Sequence, residues 1–382
     1  MKIAIVNRSF WPIYPVIGEA LLQLSEKLAK DGHDVSVIMQ DHVNIRQKLK
    51  EANRGSNVSF YPAKALTTSS SSVARRAIDA LFFAFWVLYT LVRTRPKRVY
   101  VSTDPPVTVP FIVMLYCWLF RASYIYHLQD IHPEATSVVF KVPRLVFGLL
   151  KKLDQMTMRR ASRLITLTPK MKEVMQKRMG VEKAVLLIDN PSISFDQVVL
   201  PKVRKAGFTF CGNAGRLQRM PLLIEAIEAF INAGGKAEFV FAGGGVYASE
   251  LEALSQCYEQ VIYQGKVSPA QAAQINADYQ WALLPIEDEV TKYAFPSKSS
   301  SYVLSGASVL AVCGSENSVA DWIRAHKIGV VVDPDVATLS DAFMAIETGR
   351  IEAPVDDHAR ARLAAKLSFD QFVSSLYEIT LH

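Results

Sequence analysis

Short apolar runs that suit buried strands alternate along this chain with amphipathic stretches that suit helices. KIAIVN at 2–7 predicts a buried strand, Glu19–Lys30 predicts an amphipathic helix that ends at Gly32, and HDVSVIM at 33–39 predicts the next strand. Strands joined by a crossover helix are parallel, and buried parallel strands form continuous apolar runs. The alternation therefore predicts an α/β fold built on parallel sheets.

The alternation stops at Asp189-Asn190-Pro191 and then begins again. A second series of predicted strands starts at Thr209–Cys211 and continues at Ala237–Ala242 and Val261–Gln264. A chain of 382 residues is also too long for one ordinary hydrophobic core. We therefore predict two Rossmann-like, doubly wound domains that face a central ligand cleft. The expected parts are residues 1–190, residues 191–365 and a terminal helix in 366–382, for which packing against the first domain is one option.

The balance of charge favours an anionic partner. The formal net charge is +7, which suits nucleic acid, acidic lipid or a phosphorylated ligand. The basic residues of the first half stand beside apolar runs, and this arrangement suits a lipid surface better than nucleic acid. The four cysteines are far apart and form no CxxC pair, so neither a zinc site nor a redox motif is expected. A reducing cytosol fits, and no signal peptide is expected because Lys2 leads directly into a strand.

Two apolar runs in the first half come near the length of a membrane segment. They are ALFFAFWVLYTLV at 80–92 and VTVPFIVMLYCWLF at 107–120, and both have arginine or lysine at their flanks. Each is about as long as a buried core helix or an interfacial segment. Both could be core helices, or the first could lie in the surface of a bilayer. Its aromatic residues occupy nearly every face of the helix, which favours membrane contact for the run at 80–92.

The second half carries backbone donors and cations at the ends of its predicted strands. In the segment FPSKSSSYVLSG at 295–306, Pro296 suits the first turn of a helix, and serine hydroxyls at a helix N-terminus suit phosphate. Amides can hold the oxygens of a diphosphate while Arg or Lys neutralises charge on a leaving nucleotide, without a metal. The candidate groups are Asn213, Gly215, Arg216, Arg219, Gly244, Lys266, Ser297 and Lys298.

Other chemistries find weaker support. GGGVYA at 243–248 matches the dinucleotide pattern GxGxxA, but it does not lie on the first βα turn of its domain. Gly265 and Lys266 also stand where a ribose-binding carboxylate would be expected. The chain has no GxxxxGK[ST] and no GxSxG. Glu287-Asp288-Glu289 suits a solvated loop better than a metal site, because consecutive side chains point apart.

The ordered set of motifs resembles the family-4 retaining glycosyltransferases of the GT-B fold, of the type that builds bacterial envelope polysaccharides. The segments that carry the resemblance are GHDVSVIM at 32–39, YHLQDIHPE at 126–134, FCGNAGRLQRMPLLIEAI at 210–227, FAGGG at 241–245, YQGKV at 263–267 and PSKSSSYVLSG at 296–306.

The resemblance implies a retaining transfer of a sugar from a nucleotide donor to a glycan acceptor, expected to be lipid-linked. A UDP-sugar is favoured over a GDP-sugar as donor, and neither a cofactor nor a metal is expected. Front-face attack, with the leaving phosphate as the base, would need no protein nucleophile. The expected partners are the nucleotide sugar, the lipid-linked glycan and an anionic membrane surface, with no nucleic acid. The expected location is the cytoplasm, peripheral to the inner face of the cell membrane.

The resemblance also implies roles for individual residues. Asp130 would orient the sugar or the acceptor, and Arg216 and Lys298 would meet the diphosphate, so these three are the expected catalytic residues. His127 and His132 are weaker candidates that suit packed histidines as well. Arg219 would do the work of a lysine usual near that position, and Gly18 would let the acceptor side approach the phosphate. The binding residues would be Gly18, Asn213, Gly215, Arg219, Gly244, Lys266, Val267, Ser297 and Ser301, with the base near Lys266 and Val267.

One departure from the family pattern bears on activity. Most members carry two glutamates eight positions apart, and the second holds the donor ribose. This chain has Tyr293 and Ser301 at those positions. A catalytically weak or inactive glycosyltransferase-like partner protein is therefore the alternative to an active enzyme.

Overall fold

The computed structural model describes residues 1–67, 73–193, 195, 197–352 and 357–382. Two compact units make up the chain. The first consists of Met1–Asp189 together with Asp370–His382, and the second of Asn190–Phe369. The chain therefore enters the second unit at Asn190 and returns to the first unit after Phe369.

The first unit contains a parallel sheet with the strand order β3-β2-β1-β4-β5-β6-β7. Its described strands are β1 (Lys2–Val6), β2 (Asp34–Asp41), β3 (Val58–Lys64), β4 (Arg98–Ser102), β5 (Ser123–His127), β6 (Arg163–Thr166) and β7 (Val185–Leu187). Its described helices are α1 (Ile17–Lys30), α2 (Ile45–Glu51), α3 (Val73–Thr94), α4 (Thr108–Phe120), α5 (Glu134–Val139), α6 (Arg144–Arg160) and α7 (Pro169–Met179). The four apolar residues of β1, Ile3 to Val6, are fully buried, as a central parallel strand requires.

The second unit repeats this plan with the strand order β10-β9-β8-β11-β12-β13, again parallel. Its described strands are β8 (Lys205–Cys211), β9 (Glu238–Ala242), β10 (Val261–Tyr263), β11 (Tyr279–Pro285), β12 (Ser308–Val312) and β13 (Gly329–Val332). Its described helices are α8 (Met220–Asn232), α9 (Ala248–Cys257), α10 (Pro269–Asp278), α11 (Lys298–Ser305), α12 (Ser318–His326), α13 (Val336–Glu347) and α14 (Asp357–Lys366), with a short 3-10 helix at Asp288–Lys292. Packed phenylalanines form its core, and Phe208 stacks on Phe239 at 4.9 Å between ring centroids.

The C-terminal helix α15 (Phe369–Leu381) returns the chain to the first unit. Phe372 and Leu376 are buried on its inner face, as the apolar spacing of this helix predicts. The Tyr377 hydroxyl donates to Asp31 at 2.6 Å, and Arg98 donates to the carbonyl oxygen of Thr380 at 2.9 Å. The helix is therefore fastened to the first unit by both apolar and polar contacts.

Both sheets reverse their winding at one point. In the first sheet β1 lies between β2 and β4, and in the second sheet β8 lies between β9 and β11. The crossover loops diverge on either side of such a switch point and leave a crevice at the carboxyl ends of the strands, where open α/β sheets bind ligands. The two switch points therefore locate the candidate sites.

Candidate functional site

The loops after β8 and β9 pack against each other through their backbones. The amide of Gly212 donates to Ala242 at 2.8 Å, and the amide of Ala214 donates to Gly244 at 2.7 Å. Gly243 has a φ of 136°, and a Cβ there would overlap the carbonyl oxygen of Gly212. The match of GGGVYA to a dinucleotide pattern thus has a structural cause, because these glycines allow two loops to approach closely.

Lys298 reaches from the first residue of α11 to the end of β8. Its Nζ lies 3.7 Å from the ring centroid of Phe210, and a Cβ on Gly212 would be 3.3 Å from it. Part of the stem is accessible, but the nitrogen is buried and has no hydrogen-bond acceptor among the described residues. Burial lowers the pKa of Lys298 to about 7, and Cys211 opposes this shift weakly. A buried ammonium without an acceptor is costly, so this cation is set to receive an anion.

The serine hydroxyls of α11 are engaged within the protein, contrary to the expectation that they would be available for phosphate. Ser299 Oγ donates to the carbonyl oxygen of Pro296 at 2.8 Å, and Ser300 Oγ donates to that of Asn190 at 2.6 Å. The helix also begins at Lys298, so Pro296 precedes it. Ser297 is exposed at the N-cap, and its side chain caps no amide in the described chain.

Ser301 is half-buried and contacts the segment that enters the second unit. Its Oγ accepts a hydrogen bond of 3.1 Å from Ser192 Oγ, and Ser192 itself is buried. The amide of Ser192 donates to Leu367 at 3.2 Å. The position at which the family carries a ribose-binding glutamate therefore holds a serine bonded to another serine.

The loop after β8 presents Asn213, Gly215 and Arg216 at the switch point. Asn213 and Arg216 are exposed, and the amide of Gly215 donates to Gln218 Oε1 at 3.1 Å. Arg216 forms no hydrogen bond or ion pair with any described residue. Its charge is therefore available to a ligand.

Arg219, in contrast, already has partners. Its guanidinium lies 3.1 Å from Glu287 and 3.1 Å from Asp288, and its Nε donates to the carbonyl oxygen of Ile286 at 2.8 Å. Asp288 also accepts from the amide of Gly314 at 2.8 Å and from Asn317 Nδ2 at 2.7 Å. The acidic run is thus largely exposed, as expected, and Asp288 also joins neighbouring loops. Within the described ranges, no group of three or more His, Cys, Asp or Glu is placed to hold a metal ion.

The remaining donor-side candidates lie on neighbouring loops. Lys266 is exposed and its stem passes over Gly244, where a Cβ would be 3.0 Å from Lys266 Cε. Val267 is half-buried against a small apolar cluster that includes Cys211 and Ile275. Gly244 therefore leaves room for a lysine stem, and Val267 is partly a packing residue.

Asp130 follows β5 in the first unit. Its amide donates to Thr103 Oγ1, and so does the amide of Gln129, at 3.4 and 3.2 Å. Burial, and after it the charge of Asp104, raise the pKa of the Asp130 carboxyl to about 6. No sequence motif marks Arg8, which forms an ion pair with Asp104 at the switch point between β1 and β4.

The other first-unit candidates are packed into the protein. His127 is buried and its Nδ1 lies 2.6 Å from the Tyr100 hydroxyl, and burial lowers its pKa to about 3. Burial likewise lowers the pKa of His132 to about 4. Gly18 is buried, and a Cβ there would be 2.5 Å from backbone atoms of Phe10 and Trp11. The space beside Gly18 is therefore filled by the chain itself, and this explains the glycine without a ligand.

Helices α3, α4 and α6 are neighbours, and their outer surface is both apolar and basic. No helix in the described part of the chain is long and apolar enough to span a membrane. On α3, Phe83 is fully buried whereas Phe85 is 72% exposed, so only one side of this helix is core. We define the outer helical face by its exposed apolar residues Ile78, Leu81, Phe82, Phe85, Tyr89, Val92, Trp118, Leu119, Leu145, Val146 and Leu149. Exposed cations beside them are Arg93, Arg95, Arg121, Lys141, Arg144 and Lys152.

Comparisons with known proteins agree with this architecture. Residues 17–191, which span most of the first unit, match the family described as a glycosyl transferase 4-like domain. WbjE of Pseudomonas aeruginosa, a probable glycosyltransferase, is 23% identical over 278 residues, which is 69% of this chain and 69% of that protein.

Solved structures support the fold along the whole chain. HepE of Anabaena, in complex with UDP, is similar with a TM-score of 0.67 and 14% identity over 99% of each chain, and a complex of HepE with UDP-glucose has also been solved. WaaB, a lipopolysaccharide outer core galactosyltransferase, is similar with a TM-score of 0.62 and 15% identity over 99% of this chain and 100% of that chain. The two Rossmann-like units and the matched domain confirm the resemblance found in the sequence. This chain therefore has the GT-B fold, and its residues 17–191 match a glycosyl transferase 4-like domain.

Proposed function

We propose that this enzyme transfers a sugar from a UDP-sugar to a lipid-linked glycan, with retention, in the synthesis of a cell-envelope polysaccharide. The buried ammonium of Lys298, with no acceptor among the described residues, is the observation that carries the donor half of this proposal. It lies at the end of β8, beside the switch point, where a nucleotide diphosphate would supply the missing anion. The complexes of HepE with UDP and with UDP-glucose support the choice of donor, and the similarity to WaaB, a lipopolysaccharide outer core galactosyltransferase, supports the acceptor class.

The proposed reaction requires positive charge beside the leaving nucleotide, and it requires no nucleophile from the protein. The bond between the sugar C1 and the diphosphate oxygen breaks, and the acceptor oxygen bonds to C1 on the same face. The acceptor proton passes to a phosphate oxygen of the leaving nucleotide. Arg216 and Lys298 stabilise the negative charge that grows on this leaving group, so that neither a metal nor a cofactor takes part.

The acceptor half of the proposal rests on the first unit. Asp130 would orient a hydroxyl of the acceptor or of the transferred sugar, since a carboxylate accepts hydrogen bonds from sugar hydroxyls. The outer helical face would hold the enzyme on an anionic membrane, at the cytoplasmic side of the cell membrane. Apolar side chains enter the interface of a bilayer, and the cations beside them bind acidic headgroups.

The alternative, a weak or inactive partner protein, is favoured by one observation. Ser301 occupies the place of the ribose-binding glutamate, and its hydroxyl is bonded to Ser192. Such a protein could keep nucleotide affinity and lose turnover.

A panel of nucleotide sugars tests the activity directly. Thermal shifts with UDP-, GDP- and ADP-sugars should identify the donor, and turnover with membrane extract should survive EDTA. Arg216→Ala should abolish this turnover, whereas Arg362→Ala, which changes another exposed arginine of the second unit, should leave it unchanged. Binding without hydrolysis or transfer of any donor would favour the inactive partner. Unchanged turnover in Arg216→Ala would refute the phosphate role of that residue.

Sedimentation with vesicles tests membrane docking. We expect binding to phosphatidylglycerol vesicles and little binding to phosphatidylcholine vesicles. The double variant Leu81→Ser and Phe85→Ser should be released, whereas Val203→Ser, an exposed valine of the second unit, should still bind. Phe83 is unsuitable for this test because it belongs to the core. Full binding of the double variant would contradict the docking role of this face.

A further inference from the structure

An ion pair between Arg8 and Asp104 lies at the switch point of the first sheet. Arg8 Nε and Nη2 lie 3.0 and 2.9 Å from the same oxygen of Asp104, and the amide of Ser9 donates to the other oxygen at 2.8 Å. The amide of Arg8 also donates to the carbonyl oxygen of Asp104 at 2.8 Å. Asp104 thus joins the loop after β1 to the loop after β4, and its side chain is only 22% exposed.

Asp130 is held beside this pair by the residue that precedes Asp104. The Thr103 hydroxyl accepts the amides of Gln129 and Asp130, so the end of β5 is tied to the end of β4. Burial is the main cause of the raised pKa of Asp130, and the charge of Asp104 is the second. Two carboxyl groups and one guanidinium therefore share the carboxyl ends of three adjacent strands.

We propose that Arg8 and Asp104 are positioning residues for Asp130: Arg8 holds the Asp104 carboxylate in the crevice, and Asp104 presents Asp130 with a fixed negative charge. The inference rests on the function proposed above for Asp130 in acceptor binding. Arg8 and Asp104 need not touch the acceptor, because they act through Asp130.

The other titratable groups near Asp130 are either neutral or balanced by charged partners of their own. His132 is neutral at neutral pH, because burial lowers its pKa. Glu134 is paired with Arg178, whose guanidinium also donates to the carbonyl oxygen of His132 at 2.7 Å. Arg178 also pairs with the buried Asp154, and Lys151 lies 3.6 Å from Glu134, so two cations offset two carboxylates in this cluster. Asp104 and Arg8 are therefore the pair whose removal should change the titration of Asp130 most.

Removing Asp104 and removing Arg8 should shift the pKa of Asp130 in opposite directions. A like charge favours the protonated carboxyl, so Asp104→Asn should lower the pKa of Asp130. Arg8 partly neutralises Asp104, so Arg8→Gln should raise the pKa of Asp130, and Arg8→Lys should restore it. A residue that only supports the local fold would give changes of the same sign in both variants, or none.

Carbon-13 NMR of protein labelled at aspartate measures this titration without any substrate. The resonance that disappears in Asp130→Asn identifies the Asp130 carboxyl. We expect its midpoint near pH 6 in the parent protein, lower by about half a pH unit or more in Asp104→Asn, and higher in Arg8→Gln. Arg8 is partly exposed, so the Arg8 variants keep the test open if Asp104→Asn fails to fold. An unchanged midpoint in the folded variants would overturn the inference.

The pH profile of kcat/KM separates this inference from the proposed function. If Asp130 must be ionised to bind the acceptor, the acidic limb should follow the NMR midpoint in each variant. If the NMR midpoint of Asp130 shifts in the variants but the acidic limb of the kcat/KM profile does not, then Asp104 and Arg8 do influence the charge of Asp130, but Asp130 has no role in transfer. A titration that does not move rejects the coupling, whatever the transfer rate does.

Discussion

Donor binding should take up a proton on Lys298. The pKa of this lysine in the free protein is about 7, because its ammonium is buried without an acceptor among the described residues. A bound diphosphate would favour the charged form and return the pKa toward its ordinary value of about 10.4. Each donor molecule bound above pH 7 should therefore bring a proton with it.

The size of the effect follows from the pKa. At pH 6 about nine-tenths of the free protein already carries the charged lysine, and at pH 8 about one-tenth does. Affinity for the donor should then be about tenfold weaker at pH 8 than at pH 6, or about 1.4 kcal/mol. Both phosphates of a nucleotide sugar remain ionised over this range, so the ligand contributes no proton of its own.

Calorimetry in buffers of different ionisation enthalpy counts the protons directly. We expect uptake of about 0.9 proton per donor at pH 8 and about 0.1 at pH 6. Lys298→Arg carries a permanent charge, so any binding that it retains should lose this pH dependence. Lys298→Met should lose most of the affinity at both pH values.

Two results would refute the reasoning. Binding by the parent protein that takes up no proton at pH 8 would show that Lys298 is already charged or stays neutral. An unchanged affinity in Lys298→Met would show that the donor does not use this cation.

Three further predictions concern stability, and urea unfolding measures each of them. Lys298→Met should stabilise the free protein at pH 6 by several kcal/mol, up to about 5, since the lowered pKa costs about 1.4 kcal/mol per unit, and the gain should fade from about pH 7 toward 10.5, where the unfolded lysine also loses its proton. Gly243→Ala should cost about 1–3 kcal/mol, because its φ is 136° and its Cβ would overlap Gly212. Arg178→Met should cost about 3–5 kcal/mol, because it leaves the buried Asp154 unpaired beside Glu134.

Matched variants control these stability experiments. Gly234→Ala also has a positive φ, of 93°, but meets no atom within 4 Å, so it should cost less than Gly243→Ala. Lys151 lies 3.6 Å from Glu134 and is about half exposed, so Lys151→Met should change stability by less than about 1 kcal/mol. Equal losses within either pair would contradict the structural explanation. A Lys298→Met variant that is less stable than the parent at pH 6 would contradict the assigned burial cost.

The architecture could be predicted from the sequence because the strands and helices of a parallel α/β fold are marked by short, local sequence patterns. A buried strand is a short apolar run, and a helix start or stop is marked by a few neighbouring residues. Gly32, for example, was expected to end the first helix, and α1 ends at Lys30, two residues before Gly32, which has a φ of 81°. The loop residues Asn213, Gly215 and Arg216 could be found in the same way, since they follow a strand directly.

The tertiary structure decided which side chains remain available. Arg8 and Asp104 meet across 96 positions, and Ser192 and Ser301 meet across 109, because strand order and chain return bring them together. The same packing buries the nitrogen of Lys298 and uses the hydroxyls of Ser299 and Ser300.

The apolar run at 80–92 shows most clearly what could not be predicted from the sequence alone. Because aromatic residues lie on nearly every side of this helix, the sequence does not show which of its faces belongs to the core and which to the surface. Packing against the sheet buries Phe83 and leaves Phe85 exposed. Local pattern thus determined the elements and the candidate loops, whereas the pairing of distant residues decided which charges are balanced, which are buried and which face solvent.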